Sequence, residues 1–317
     1  MTYRSIDVVP PSLRSDQRTL SQPLLACRAT IPLVLAIVVC LALVCSVRAQ
    51  NRSFLWKATR GSGSVYLVGS VHMLSKDYYP LSPSLDAAFA DADLLIEELD
   101  FAEMMAPEAQ LMLLTRGMLP AGQSLDAVVS KPTLDLVSAR VAALGLPIEP
   151  LKRFKPWALA LTLLAMEWKK AGFEPDLGLD RHFYDLARGL GRAVQGLETV
   201  AFQVSRFDEM SMVDQDRMLV QSLKDVETET AEVKTLADAW QAGDAAAVER
   251  VVLRDLRNDA QLYRRLIVER NQAWLPKVEA LFNRPKPAFV VVGAAHLVGP
   301  DGLLAALRAK GYTLEQR

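Results

Sequence analysis

The tetrapeptide pattern G-x-x-H occurs twice in this chain, as Gly69-Ser70-Val71-His72 and Gly293-Ala294-Ala295-His296. Each copy follows an apolar run of strand type, Val65-Tyr66-Leu67-Val68 and Phe289-Val290-Val291-Val292. The chain has 3 histidines, and two of them occupy this one context near opposite ends of the sequence. A strand that stops at Gly and delivers a His just past its carboxyl end is how open α/β sheets present site residues. The pattern therefore predicts one sheet assembled from both ends of the chain, with two imidazoles able to meet in one crevice. Imidazole is the commonest metal ligand and a ready proton carrier.

The first 50 residues differ from the rest. Ile31 to Val47 is a nearly unbroken apolar run, preceded by Arg4, Arg14, Arg18 and Arg28, and Val47-Arg48-Ala49 offers a cleavage site before Gln50. This reads as a secretory signal peptide over 1–49, with an uncleaved membrane anchor as the alternative. Cys27, Cys40 and Cys45 all lie in that segment. Residues 50–317, the expected domain, thus carry no disulfide framework, no thiolate nucleophile and no cysteine metal site. Export without disulfides fits a bacterial periplasm, either free or anchored to the inner membrane and facing that space. The formal charge of −1 gives no electrostatic case for nucleic-acid binding, and membrane contact is expected only through the N-terminal segment.

Along the remainder, Phe54 to Ala58 and Val65 to Val68 flank Gly61-Ser62-Gly63-Ser64, a hairpin signal. Ser82-Pro83 opens a helix to about Asp91, with Leu85, Ala88 and Phe89 on one face. Leu94-Leu95-Ile96 is a buried-type strand running into Glu97-Glu98. From about Ala102 to Arg188 the pattern is helical, and Trp157, Leu161, Leu164, Ala165 and Trp168 predict one apolar face, between Pro156 in the first turn and Gly172 at the end. A short strand at 193–197, a charged helical stretch over 199–284, a loop at 283–287, a strand at 288–292, a helix at about 301–310 closed by Gly311 and a last strand at 312–314 complete the reading. The fold class is α/β, a compact mixed-sheet core from both chain ends with mostly helical insertions.

Chemistry concentrates on few residues. Two histidines plus a carboxylate is a ligand set for hydrolytic zinc and oxygen-using iron. Glu97 and Glu98 end the third strand, and because side chains alternate along a strand the two cannot both point at one site. Asp180 stands where it could cap a helix, and His182 reads as a surface or core residue. Arg270-Asn271 sits inside an amphipathic helix and suits either a solvated face or a site. Glu198 ends another strand, reaching the crevice or facing water. No G-x-S-x-G elbow, compact H-E-x-x-H or P-loop occurs.

These stretches, together with Leu55-Trp56-Lys57, Ala92 to Asp100, Gly178-Leu179-Asp180 with Phe183, Gly196-Leu197-Glu198-Thr199 with Gln203, Glu269-Arg270-Asn271 and Val291 to Leu297, resemble the TraB/PrgY/GumN family in order and spread. The GumN-like bacterial branch is the nearest match, and the Tiki metalloproteases are animal relatives. The resemblance implies a core similar to the erythromycin-esterase-like and ChaN-like folds. It implies a site with His72, His296 and Glu98 (Glu97 remaining open) on a divalent metal, manganese or cobalt favoured and zinc possible. It also implies a peptide or protein substrate. The expectation is an exported metal-dependent hydrolase, a peptidase, in which a carboxylate, Glu98 or Glu97, takes the proton, Arg270 stabilises the oxyanion and Asn271 orients it. Gly69, Gly293, Asp180 and Glu198 are further candidate site residues. The alternative is a non-catalytic envelope protein that binds a peptide or another ligand, with haem binding or a part in polysaccharide export behind it.

Overall fold

A two-residue turn at Gly61-Ser62, with Gly61 at φ 58°, joins strands β1 (Leu55–Arg60) and β2 (Gly63–Ser70). Their antiparallel register pairs Arg60 with Gly63 and Leu55 with Val68. A turn this tight needs a left-handed residue, which glycine supplies without a Cβ clash. The computed structural model describes residues 52–224, 226–254 and 256–317, with the side chains of 224–230 left out. The expected signal or anchor segment and its cysteines lie outside the described residues. Among these, no helix is long and apolar enough to cross a membrane.

The remaining strands are β3 (Leu94–Glu97), β4 (Ala193–Gly196), β5 (Ala288–Gly293) and β6 (Thr313–Gln316). The sheet order is β4-β3-β5-β2-β1-β6. β4, β3, β5 and β2 run parallel, while β1 is antiparallel to both neighbours. So the α/β core does come from both ends of the chain, with β5 and its G-x-x-H beside β2 and its own. β5 is buried throughout, which explains its continuous apolar sequence: helices cover both faces of a parallel sheet.

The helices that bear on the site are, in chain order, α1 (Pro83–Asp91), α2 (Phe101–Met105), α3 (Pro107–Gly117), α4 (Lys131–Ala143), α5 (Pro156–Lys170), α6 (Leu179–Gly189), α7 (Val200–Asp208), α8 (Met212–Lys224), α9 (Val226–Gln241), α10 (Ala245–Arg254), α11 (Glu269–Leu281), α12 (Ala294–Leu297) and α13 (Leu303–Ala309). Ser82 caps α1, accepting from the Ser84 N–H, and Leu85, Ala88 and Phe89 are its buried face. Phe89 packs on Phe183 of α6 and Phe289 of β5, with ring centroids 5.1 and 5.3 Å apart. A second core, away from the sheet, joins α4, α5, α7 and α8 through Val137, Val141, Leu159, Leu163, Val204 and Leu219.

The expected face of α5 needs correction. Trp157 is buried, but Leu161 and Ala165 are exposed and Leu164 and Trp168 only partly covered; Pro156, Ala158, Leu159, Ala160, Leu163 and Glu167 are the residues buried with it. The helix is apolar nearly all round, so its periodicity does not select a face. Its orientation is set by α8 and by the ion pair of Glu167 with Arg140 of α4, 3.5 Å apart. The second G-x-x-H is also not a plain strand-loop: Ala294–Leu297 form one helical turn.

The corrected face makes a direct contrast. Leu163→Ala should lower the unfolding free energy by about 2–5 kcal/mol, and Leu161→Ala by no more than about 0.5 kcal/mol. Urea denaturation of the two variants checks this, and equal losses would return the helix to the face its sequence suggests.

Candidate functional site

The register of the four parallel strands brings their carboxyl ends level. Ser70 of β2 pairs with Gly293 of β5, and Glu97 of β3 pairs with Val291 and with Gly196 of β4. The residues just beyond, His72, Glu98, Glu198 and His296, therefore emerge at one end of the sheet, the place where open α/β sheets bind ligands. Of the expected site residues, Glu98, Glu198, Arg270, Asn271 and His296 form one hydrogen-bonded network, and His72 and Asp180 form a second pair that meets the first across Gly293.

At its centre is Arg270 of α11. Its Nε and Nη2 donate to Glu198 at 2.8–3.2 Å, Nη2 also donates to Glu98 Oε2, and Nη1 donates to His296 Nε2 at 2.9 Å and more distantly to the Leu266 carbonyl. The guanidinium has five N–H groups, and all have acceptors. An oxyanion role for Arg270 would require it to release one of them; as placed, it positions Glu98, Glu198 and His296. Trp274, one turn along, lies under the guanidinium at 4.6 Å and donates its Nε1–H to Glu198 at 2.9 Å. A π-helical turn, 264–268, precedes α11. Adjacent residues on a helix point about 100° apart, yet Arg270 and Asn271 are both buried because the sheet end and α12 enclose that side.

The two histidines are held differently. His296 is 4% exposed. Because Arg270 can only donate, His296 Nε2 accepts, and its proton sits on Nδ1, which donates to Asn271 Oδ1 at 2.8 Å. Burial and Arg270 push it down to about 3, so the ring is neutral. Asn271 orients His296, and not Arg270: its amide nitrogen donates to the carbonyls of His296 and Asp301. His72 lies open to the crevice, with its Nδ1 3.0 Å from Asp180 Oδ2. The Asp180 carboxylate raises it, to about 9. Asp180 does not cap α6; Gly178 takes the cap position, and the carboxylate accepts instead from Ser70 Oγ and His72. Gly178 must be small, since a Cβ there would stand 2.1 Å from the His72 carbonyl oxygen.

Burial alone would raise Glu98, but Arg270, the His72 imidazolium and the Gly293 N–H overrule it and hold the carboxyl well below its usual range. Oε1 accepts from Gly293 N at 2.7 Å and Oε2 from Gln203 at 3.2 Å. A Cβ on Gly293 would stand 3.1 Å from both Glu98 Oε1 and His72 Nε2, so the missing side chain leaves a gap onto which both atoms face. Gly69, in the other motif, admits the Phe54 ring, which a Cβ would meet at 2.3 Å. Glu97 is separate, as strand alternation requires. It is 1% exposed, and neither of its oxygens has a hydrogen-bond partner. Burial, then Asp180, Asp100 and Asp185, push it up to about 9. Sequence reasoning passed over Ser70, Gln203 and Trp274; the i, i+4 spacing of Arg270 and Trp274 was the signal available for the last.

Even with His72 protonated beside Asp180, two cations, His72 and Arg270, stand against three carboxylates, Glu98, Glu198 and Asp180, so the site carries excess negative charge. Among the described residues no group of three or more His, Cys, Asp or Glu side chains is disposed to hold a metal as it stands. Two donors, His72 Nε2 and Glu98 Oε1, do face one gap. Each histidine also has its Nδ1 engaged by an Asp or Asn, the outer-shell support that metal-binding imidazoles have. The third, His296 Nε2, is held by Arg270.

A sequence model of the TraB/PrgY/gumN family matches residues 54–316, which include every residue of this assembly. The chain belongs to the TraB/PrgY/gumN family. Among its relatives is a protein of Escherichia coli (strain K12) named "Uncharacterized protein YbaP", 26% identical over 248 residues that make up 78% of this chain and 89% of the relative. An "Uncharacterized protein" of Treponema pallidum (strain Nichols) is 22% identical over 282 residues, 84% of this chain and 83% of the relative. No solved structure matches the chain. Membership in the TraB/PrgY/gumN family is thus established over the whole sheet, and the site is the part of that fold in which its two G-x-x-H motifs end.

Two stability predictions follow from the buried charges. The folded chain keeps a proton on Glu97 that the unfolded chain releases above about 4.5, so Glu97 makes stability fall as pH rises from there toward 9. Glu97→Gln should raise stability at pH 8 and flatten that decline in urea melts at pH 5–9; an unchanged slope would show that Glu97 is ionised. Glu198→Ala leaves Arg270 buried with half its hydrogen bonds and should cost about 3–5 kcal/mol, whereas a loss under about 1 kcal/mol would mean the pair is solvated.

Proposed function

We propose that this chain is an exported metal-dependent hydrolase, most simply a peptidase, whose reaction takes place over Gly293. The observation that carries the reading is the gap there, faced by both His72 Nε2 and Glu98 Oε1, in an assembly with more carboxylates than cations. His72 and Glu98 would hold the divalent cation, with His296 as the third donor once Arg270 releases its Nε2. Histidine and carboxylate donors suit manganese, cobalt or zinc. A cation so bound would make hydroxide available near neutral pH and polarise a scissile carbonyl.

The chain's own residues supply the rest. Asp180 accepts the His72 Nδ1–H and so keeps Nε2 turned to the gap, where it would exchange its proton for a bound cation. The Gly293 N–H and Gln203 fix the Glu98 carboxylate in one orientation. Arg270, braced by Glu198 and Trp274, keeps Glu98 ionised and so ready as a ligand. Asn271 holds His296 in the tautomer whose Nε2 is an acceptor. Export rests on the apolar N-terminal run with its preceding arginines.

Calorimetric titration of the metal-stripped protein with manganese, cobalt and zinc tests the reading. One metal should bind per chain, His72→Ala and Glu98→Gln should each abolish binding, and His296→Ala should weaken it about 10–100-fold. Absence of binding by the wild-type protein, or unaltered binding in all three variants, would overturn it and leave the site as a metal-free binding crevice.

A further inference from the structure

Three hollows adjoin one another along the carboxyl end of the sheet. The first, of about 470 Å³, is lined by His72 and Glu98 and by the apolar side chains of Leu99, Phe101, Met104 and Met105. The second, of about 200 Å³, has His72 and Glu98 as part of its wall as well, and continues to Trp168, Leu236 and Val252. Those last three residues also line the third hollow, of about 260 Å³, with Leu164, Val233 and Val251. Shared walls make the three into one trough with the His72–Glu98 pair part-way along it. One arm is walled by α2 and the end of β3, the other by α5, α9 and α10.

We infer that this trough takes an internal stretch of an extended polypeptide, with apolar side chains on both sides of the bond at His72 and Glu98. The inference rests on the hydrolase reading for the cut, though not for the binding. A hollow that ended at the pair would admit a chain terminus; this one continues beyond it in both directions. Each basic residue on its walls already has an acidic partner, Arg181 in Asp185, Arg270 in Glu98 and Glu198, and His72 in Asp180, so none is left unpaired for a terminal carboxylate. Asp180, the nearest acid to His72, is occupied by Ser70 and His72 and is not free for a terminal ammonium. Polar groups join both walls, Asp176, Arg181 and Gln203 in one arm and Glu232 in the other, but each arm also presents a run of aliphatic, aromatic or thioether side chains, and Met105 leaves 59% of its surface to solvent beside the site. Thioether surfaces adapt to varied apolar partners, and exposed apolar surface next to a cleft marks a contact surface. Successive side chains of an extended strand alternate and advance about 3.3 Å per residue, so residues before and after the bond can each fill one arm.

The test uses the purified protein with manganese and a fluorescent peptide acetylated and amidated at its ends, carrying Leu and Phe at its centre. A second peptide has Asp and Lys at those positions. Anisotropy reads binding and mass spectrometry reads cleavage, for the wild type and for Met105→Asp and Leu236→Asp, with circular dichroism confirming that both variants fold. The apolar peptide should bind at least about 10-fold more tightly than the charged one, be cut internally, and lose about 10-fold in affinity in each variant, one for each arm. Binding that both variants weaken, without any cleavage, upholds the trough and rejects the hydrolase. Cleavage that neither variant alters, equal binding of the two peptides, or activity only on peptides with a free terminus overturns the trough.

Discussion

The buried guanidinium of Arg270 is the constraint around which this site is arranged. An uncompensated charge there would cost several kcal/mol, and the fold answers with two carboxylates, a neutral imidazole and the face of an indole ring. Each of those partners must arrive at a fixed place. Glu98 and Glu198 do so because β3 and β4 are paired in register, and His296 because α12 starts where β5 ends. The ion network and the sheet register are therefore one specification: a slip of one residue along β3 would turn Glu97 to Arg270 and Glu98 away.

The contrast between Glu97 and Glu98 shows how much environment decides. The two are chain neighbours of one type, both buried. One faces Arg270 and stays ionised; the other faces Asp180, Asp100 and Asp185 without a hydrogen bond and holds its proton. Two carboxyls with opposed proton affinity thus border one crevice. Such separation is a feature of sites that do chemistry, and here it comes from strand alternation and not from any special residue type.

Much of this was legible in the sequence, and the limits have physical causes. The hairpin, a mixed sheet drawn from both chain ends and the placing of two histidines at its strand ends followed from local signals: apolar runs, turn glycines, and a repeated motif. The family resemblance rested on the same residues. What the sequence did not disclose is partnership. Asp180 looks like a helix cap because its position relative to α6 is visible locally, while Ser70 and His72, which it actually serves, are over 100 residues away. Arg270 reads equally well as a solvated helix residue, since burial depends on what the strands place opposite it. Helix α5, apolar on most sides, carried no signal for its buried face.

The position of Arg270 also bears on how the gap over Gly293 could be used. His72 and Glu98 are presented to it already, each fixed by partners outside the gap. His296 is presented to Arg270 instead. A guanidinium and a divalent cation repel each other, and both seek Glu98 and His296. Occupation of the gap would therefore favour withdrawal of Arg270 toward Glu198, to which it is already bound through Nε and Nη2. Glu198 has Trp274 as a second donor, so it is a fixed anchor whichever way Arg270 shares its remaining N–H groups. Arrangement of the site around a cation that can lean to either carboxylate keeps Glu98 charged without a ligand and frees it for one. That coupling follows from three buried residues, Glu98, Glu198 and Arg270, and it is what the repeated G-x-x-H motif alone does not convey.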